Sequence, residues 1–224
     1  MMKICGISDM HGKFDFEIKP CDIVLICGDI LPLDIQHNLI KSEEWIISFF
    51  IPWCTNLPCE KVVFIGGNHD KLLMKAPGTV REVLSNQDKV IYLDSETYEY
   101  KGKTIYGTPW CKPFYEWSFM EAEEASDERY KNVTHIDILM SHDAPYGISD
   151  VILQKDCFWA DGSHIGNHAL TKLIEKTTPT LCLHGHLHST NHEQELLGST
   201  MVYNVSLLNE NYKMTYEPLY IELA

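Results

Sequence analysis

Five short polar segments of this chain each follow an apolar run, and this pattern restricts the possible folds more than any other feature. The segments are Asp-Met-His-Gly at 9–12, Gly-Asp at 28–29, Gly-Asn-His-Asp at 67–70, Ser-His at 141–142 and His-Gly-His-Leu-His at 184–188. The runs before them are short and rich in Ile, Val and Leu, which is typical of buried β-strands. The pattern predicts a sheet with carboxylate, carboxamide and imidazole groups gathered at one edge, where they could bind two divalent cations.

The apolar periodicity of the remaining chain predicts helices between the strands. Strands are expected at 3–8, 22–27, 61–65, 90–93, 97–100, 104–106, 135–140, 180–183, 200–205 and 213–221. Helices are expected at 39–53, 80–84, 121–131 and 163–177, with a short helix after Asp70. This order favours a mixed sheet, or a sandwich of two sheets, with helices on the outside. Because domains contain about 100–200 residues, we expect one domain spanning residues 1–224.

The composition argues against several kinds of protein. The formal net charge of -14 disfavours extended nucleic acid as a partner, since nucleic acid binds mainly through Lys and Arg. No run approaches the ~20 apolar residues of a membrane span, and the N-terminus does not resemble a signal peptide, so no membrane partner is expected. Cys5, Cys27 and Cys182 lie in apolar runs, and no Cys-x-x-Cys pair occurs. We therefore expect free thiols and a reducing, cytoplasmic setting.

The spacing inside the polar segments suggests how cations would be held. Asp9 and His11 are two residues apart, so their side chains would share one face of an extended segment. His186 and His188 have the same spacing. Asp29 follows a glycine at a strand end, and its carboxylate has two oxygens, whereas one imidazole nitrogen cannot bridge two cations. Asp29 is therefore the expected bridging ligand.

The combined pattern Asp-x-His, Gly-Asp, Gly-Asn-His-Asp, His and Gly-His-x-His resembles the calcineurin-like metallophosphoesterase superfamily. The matching residues extend from Asp9 to His188, over most of the chain. The resemblance implies an α/β (α+β) fold, a four-layer α/β/β/α sandwich of two mixed sheets flanked by helices. It also implies a metal-dependent phosphoric ester hydrolase.

The resemblance implies a role for each polar residue. The first cation would be bound by Asp9, His11, Asp29 and His188, and the second by Asp29, Asn68, His142 and His186. His69 would be a catalytic group near the leaving-group oxygen, and Asp70 would hydrogen-bond His69 and define its tautomer. A hydroxide shared by the two cations, with Mn²⁺, Fe or Zn²⁺ expected, would attack the phosphorus of a small phosphate ester.

Departures from the larger members of the superfamily favour a small phosphodiesterase. Protein Ser/Thr phosphatases carry an arginine shortly after Gly-Asp, and purple acid phosphatases carry a tyrosine there, but residues 30–36 contain neither. We expect phosphodiester substrates, with cyclic nucleotides among the candidates. A phosphomonoesterase of small molecules is the alternative. A non-catalytic, metal-bound interaction module is disfavoured by the complete set of ligands.

Several aromatic residues lie in loops, and their role, and with it the identity of the substrate, is not determined by the sequence. They are Trp110, Phe114, Tyr115, Phe158 and Trp159. Such residues form either a structural cluster or a wall that stacks a nucleobase or an aryl leaving group. His184 is expected to pack at a strand end rather than bind metal.

Overall fold

The secondary structure comprises eleven strands and six helices within residues 1–153 and 162–224, which are the residues that the structure, a computed structural model, describes. The strands are β1 (Met2–Ile7), β2 (Ile23–Ile26), β3 (Lys61–Phe64), β4 (Val90–Tyr92), β5 (Glu96–Tyr100), β6 (Lys103–Thr108), β7 (Ile138–Ser141), β8 (Leu181–His184), β9 (Glu195–Leu197), β10 (Thr200–Asn204) and β11 (Leu219–Leu223). The helices are α1 (Leu39–Trp45), α2 (Ile51–Asn56), α3 (Lys71–Lys75), α4 (Pro77–Leu84), α5 (Glu123–Tyr130) and α6 (His168–Thr177). A π-helical turn (Ile46–Phe50) joins α1 to α2.

The strands form two mixed sheets. The first has the order β11-β1-β2-β3-β4, in which β11 is antiparallel to β1 and the other neighbours are parallel. The second has the order β5-β6-β7-β8-β10-β9, in which the two outer pairs are antiparallel and the inner neighbours are parallel. Because the inner strands of each sheet are parallel, their carboxyl ends lie at a common edge.

Alternate side chains along a strand point to opposite faces of the sheet and pack in different layers. In β2, Ile23 and Leu25 pack in a core between the two sheets, whereas Val24 and Ile26 pack against the helices outside the first sheet. A third apolar cluster joins the outer face of the second sheet to α5 and α6. Every residue of β2 is therefore buried, which explains its uninterrupted apolar sequence. The predicted four-layer α/β/β/α sandwich is confirmed.

Several predicted element boundaries are wrong for identifiable reasons. The helix predicted at 163–177 begins only at His168, because the side chain of Asn167 caps it by accepting hydrogen bonds from Ala169 N and Leu170 N. The helix predicted at 39–53 is interrupted by the π-helical turn, which ends two residues before Pro52. Proline has no N–H to continue regular helical bonding. The closing strand predicted at 213–221 is shorter and lies at Leu219–Leu223.

Two further sequence expectations concern membranes and thiols. Within residues 1–153 and 162–224, no helix has both the length and the apolar character needed to cross a membrane. The seven cysteines in this described part are free thiols. Cys157, like Phe158 and Trp159, lies outside the described residues.

Candidate metal centre

The polar segments meet because the two sheets share an edge. Asp9 and Gly28 follow the neighbouring strands β1 and β2, and Asp9 N donates to Gly28 O at 3.0 Å. On the second sheet, Gly185 N donates to His142 O at 3.1 Å, joining the ends of β7 and β8. His142 Nδ1 then donates to Cys27 O at 2.8 Å, which connects the two sheets. Candidate ligands from both sheets are thereby brought into one buried cluster.

The first group of candidate ligands is Asp9, His11 and His188. Their ligand atoms all lie within 4.8 Å of one another. His188 Nε2 lies 3.2 Å from Asp9 Oδ1, and His11 Nε2 lies 3.7 Å from Asp29 Oδ2. The expected set for the first cation is therefore gathered in space, with Asp29 beside it.

The second group centres on His142. Its Nε2 lies 2.9 Å from Asn68 Oδ1 and 3.5 Å from Asp29 Oδ2. His186 also falls within 4.8 Å of His142, in a group that includes Cys111. Asp29 therefore borders both groups, as the sequence analysis expected of a bridging carboxylate. Cys111 was not anticipated, because a single cysteine in a loop carries no pattern.

The donor atoms fit divalent cations. Both ring nitrogens of His11 are buried and have no hydrogen-bond partner in the described part of the chain, which is unfavourable unless something else binds them. Asp29 Oδ2 lies 3.7 Å from His11 Nε2 and 3.5 Å from His142 Nε2. These separations exceed ordinary hydrogen bonds. They are close to the roughly 3.0–3.5 Å expected between ligands that each lie about 2.0–2.2 Å from one cation.

Burial and neighbouring charges shift the pKa values of the candidate ligands. Burial alone would raise the pKa of Asp9 and of Asp29, but the adjacent His188 and His142 hold both pKa values well below the usual range. Burial lowers the pKa of His11 and of His186 to about 3. Ionised carboxylates and neutral imidazoles are the protonation states that bind a metal, and these four groups have them. Burial alone would lower the pKa of His142 and of His188, but the adjacent carboxylates raise these pKa values to about 10 and about 9, so a bound metal would have to displace a proton from each of these two rings.

Four of the candidate ligands have backbone in the left-handed region. Asp9, His11, Asp29 and His186 all have positive φ angles, of 52°, 43°, 51° and 67°. Such conformations are uncommon outside glycine and cluster at functional sites. They also correct the expectation that Asp9 and His11 lie on one face of an extended segment: the two side chains converge through a turn.

The expected hydrogen bond between Asp70 and His69 is wrong. The Asp70 carboxylate instead accepts from the backbone N–H groups of Gly67, Ile30 and Leu31. These hydrogen bonds join the loop after β2 to the loop after β3. Asp70 therefore positions loop backbone rather than the His69 ring. His69 Nδ1 is bonded to Gln36 Oε1, and Gln36 is buried. His69 Nε2 faces the centre, 3.9 Å from Asp29 Oδ2.

Other groups that orient the candidate ligands were also missed by sequence reasoning. His188 Nδ1 donates to Asn209 O at 3.0 Å, which leaves Nε2 directed at Asp9. Ser206 Oγ donates to Asp9 Oδ2 at 2.8 Å. A backbone carbonyl leaves no signature in a sequence, and Ser206 follows β10 without any motif. His184 is buried at the end of β8 and belongs to none of the candidate metal groups among the described residues.

A cavity of about 860 Å³ opens over the centre. Its lining includes Asp29, His69 and His186 together with four aromatic side chains, Phe114, Tyr115, Trp117 and Tyr212. Of the aromatic loop residues noted in the sequence, Phe114 and Tyr115 thus line this cavity. Trp110 does not, because it packs against Phe119 and lies under the Arg129 guanidinium.

A smaller cavity of about 240 Å³ adjoins the first. Asn68, His69 and Trp117 line both cavities. The Trp117 ring packs against the His69 ring, with 4.4 Å between centroids. Lys71 and Lys75 line the smaller cavity only. Trp117 and His69 therefore stand at the junction of two compartments, one over the centre and one beside it.

Comparisons with known proteins identify a matching family and structures of similar fold. A family model described as calcineurin-like phosphoesterase matches residues 2–190. The chain is 26% identical to metallophosphoesterase domain-containing protein 1 of Homo sapiens, over 97% of this chain and 69% of that protein. The solved structure of TT1561 of Thermus thermophilus aligns with a TM-score of 0.64 at 16% identity, covering 91% of this chain and 88% of that one. Phosphopantetheinyl hydrolase of Mycobacterium tuberculosis aligns with a TM-score of 0.51 at 12% identity, covering 97% and 95%. The two structural matches show a shared fold.

Proposed function

Because the chain belongs to the calcineurin-like phosphoesterase family, we propose that it is a dinuclear metal-dependent phosphodiesterase acting on small phosphodiesters. The proposed ligands of the first cation are Asp9, His11, Asp29 and His188, and those of the second are Asp29, Asn68, His142 and His186. Two divalent cations, when bound, would activate water and neutralise the phosphate oxygens. Mn²⁺, Fe and Zn²⁺ are the proposed cations, because mixed imidazole and carboxylate donors suit each of them.

The observation that carries the preference for diesters is the pair of cavities that meet at Asn68, His69 and Trp117. A phosphodiester has two organic arms, and a phosphate bound at the centre would need room for both. The larger cavity, at about 860 Å³, is within the range of small-molecule sites, and the smaller, at about 240 Å³, holds only part of a ligand. A monoester has one arm and would leave one compartment unused.

The protein's own groups would position such a substrate and assist departure of the alcohol. His69 Nδ1 donates to Gln36 Oε1 and Nε2 faces the centre, so in its protonated, imidazolium form the ring would present its Nε2 proton to the leaving-group oxygen. Phe114 and Tyr212 flank the larger cavity near His186 and His11, respectively. Aromatic faces of this kind favour a nucleobase or an aryl group on the arm that this cavity receives.

The decisive measurement compares bis-p-nitrophenyl phosphate with p-nitrophenyl phosphate at equal Mn²⁺ concentration. We expect a higher kcat/KM for the diester. Trp117→Ala removes the ring between the compartments and should reduce kcat/KM for the diester more than for the monoester. Trp117→Phe is the matched control, because it keeps an aromatic face against His69. A strong preference of the unmodified protein for the monoester would overturn the assignment in favour of a phosphomonoesterase.

A further inference from the structure

Cys111 lies beside two of the proposed ligands of the second cation. Its sulfur and ligand atoms of His142 and His186 all lie within 4.8 Å of one another. The residue is completely buried. The roles proposed above for the ligands and for His69 make no use of this thiol.

The backbone holds Cys111 firmly in this place. The residue follows β6, whose neighbour β7 leads directly to His142, and His142 N donates to Thr108 O at 3.1 Å. Cys111 N donates to Phe119 O at 2.8 Å, and Glu121 N donates to Cys111 O at 3.0 Å. Since the loop is bonded on both sides, the position of the thiol is set by the fold rather than by a flexible segment.

Other buried cysteines have different surroundings. Cys54 packs in the apolar cluster outside the first sheet, and Cys182 packs in the one outside the second. Cys27 Sγ donates to Leu183 O. Among residues 1–153 and 162–224, Cys111 is the cysteine that joins a group of candidate metal ligands. Simple packing accounts for Cys54 and Cys182. Cys111 Sγ donates to Pro109 O at 3.6 Å, but this bond does not account for the two histidine rings that lie beside the sulfur.

We propose that Cys111 is a further ligand of the cation bound by His142 and His186, an inference that rests on the dinuclear centre proposed above. The thiol would release its proton to solvent when the metal binds, and the thiolate sulfur would donate to the metal. Thiolate ligands favour Zn²⁺, whereas carboxylate and carboxamide oxygens suit Mn²⁺. Cys111 therefore makes the second position selective for a softer cation than the first.

Metal competition tests this selectivity without an activity assay. The full chain is stripped with a chelator, incubated with equal Zn²⁺ and Mn²⁺, and its bound metals are counted by elemental analysis. We expect Cys111→Ser to lower the ratio of bound Zn²⁺ to Mn²⁺. Loss of the thiolate should weaken Zn²⁺ binding at the second position by at least about tenfold, since even groups that only orient metal ligands affect affinity by about 10–100-fold. Cys182→Ser, a buried cysteine outside the centre, should leave the ratio unchanged.

The Co²⁺ form gives a second readout, which can be measured first on the unmodified protein. A thiolate bound to Co²⁺ absorbs strongly in the near ultraviolet through sulfur-to-metal charge transfer. The unmodified protein should show this band, and Cys111→Ser should lack it. The inference would be overturned if the unmodified protein bound two equivalents of Co²⁺ without this band. It would also be overturned if Cys111→Ser left the ratio of bound Zn²⁺ to Mn²⁺ unchanged. Either result would leave the dinuclear centre intact. Failure of the unmodified protein to bind any metal would instead overturn the proposed function.

Discussion

At the scale of single residues, Asp29 holds the central place in the candidate centre. Its Oδ2 lies 3.5–3.9 Å from ring nitrogens of three histidines, and its Oδ1 accepts a hydrogen bond from His69 N at 2.8 Å. The carboxylate is almost completely buried. A buried anion in contact with histidines from both sheets is the arrangement expected of a bridging ligand.

Asp29→Ala is therefore expected to lose metal binding and phosphoesterase activity together. Removing the carboxylate takes an oxygen from both cation positions at once, so neither should remain filled after purification. Elemental analysis beside an activity assay checks this expectation. Asp34→Ala, a change in the same loop but outside the candidate groups, is the control. Normal metal content in Asp29→Ala would rule out the bridging role.

His69 is expected to affect the rate rather than metal binding. His69→Ala should keep both metals and lose about 10²–10⁴ in rate, the contribution typical of a positioned acid or base. His69 also lies within 4.8 Å of His11 and Asp29, so metal content is the measurement that distinguishes a catalytic group from a ligand. A loss of metal in His69→Ala would make it a ligand.

Variants of Gln36 test whether its side chain orients the His69 ring. Gln36→Leu should lower kcat and leave metal content unchanged, because the side chain bonds His69 Nδ1 and is not one of the proposed ligands. Gln36→Glu should move the pH–rate profile upward, since a carboxylate beside the ring raises its pKa. An unchanged profile in Gln36→Glu would show that Gln36 serves only the packing of its loop.

At the scale of elements, the loops after the strands are packed too tightly to admit extra atoms. A Cβ added at Gly67, just beyond β3, would lie 2.3 Å from Asp29 Oδ1 and 2.5 Å from His142 Cε1. Both neighbours are candidate ligands whose own positions are restricted. Only glycine fits at this position, because the backbone passes so close to the candidate ligands that there is no room for a Cβ.

Gly67→Ala is accordingly expected to reduce metal binding and to lower the free energy of unfolding. Gly78→Ala is the matched control, because nothing lies within 4 Å of a Cβ at that position in α4. That change should stabilise the helix by about 0.5–1 kcal/mol. Urea unfolding and elemental analysis of both variants test the difference. Equal metal content in the two would contradict the close-approach explanation.

At the scale of the whole molecule, the candidate centre connects the two sheets. Asp9, His11, Asp29 and Asn68 follow strands of the first sheet, whereas His142, His186 and His188 follow strands of the second. Cations bound by both sets would bind only the folded sandwich, so they should stabilise it by mass action. Without cations, the stability of the sandwich depends on the charges of the ligands themselves.

The metal-free protein is expected to lose stability as the pH rises from 6.5 to 9. Burial alone would lower the pKa of His142 and of His188, but Asp29 and Asp9 beside them raise these pKa values to about 10 and about 9. Both folded-state values lie above the ordinary value of 6.5. The resulting stabilisation is complete below pH 6.5 and is lost as the pH rises through the folded-state values.

Urea unfolding in the presence of a chelator, at pH 6.5 and at pH 9, measures this loss. The metal-loaded protein is the control, because histidines bound to metal are already neutral and should not contribute the same pH dependence. Equal free energies of unfolding at the two pH values in chelator would contradict the ion pairs between Asp29 and His142 and between Asp9 and His188.

The sequence by itself determined the layered fold and which polar segments lie at its shared edge. Each segment directly follows an apolar strand, so its location depends on information that is local in the chain. Reliance on residues that are close in the chain also explains the incorrect predictions. Local spacing suggested that Asp70 would hydrogen-bond its neighbour His69, but Asp70 bonds loop backbone up to 40 residues away.

Only the tertiary structure decided what surrounds those segments. Gln36 reaches His69 across 33 residues, and Trp117 and Cys111 arrive from the loop after β6. None of these three residues belongs to a periodic run or a motif, because loops are placed by long-range packing rather than by local pattern. The polar segments indicate the chemistry of the centre, whereas the loops packed over them form its cavities and place a thiol beside it.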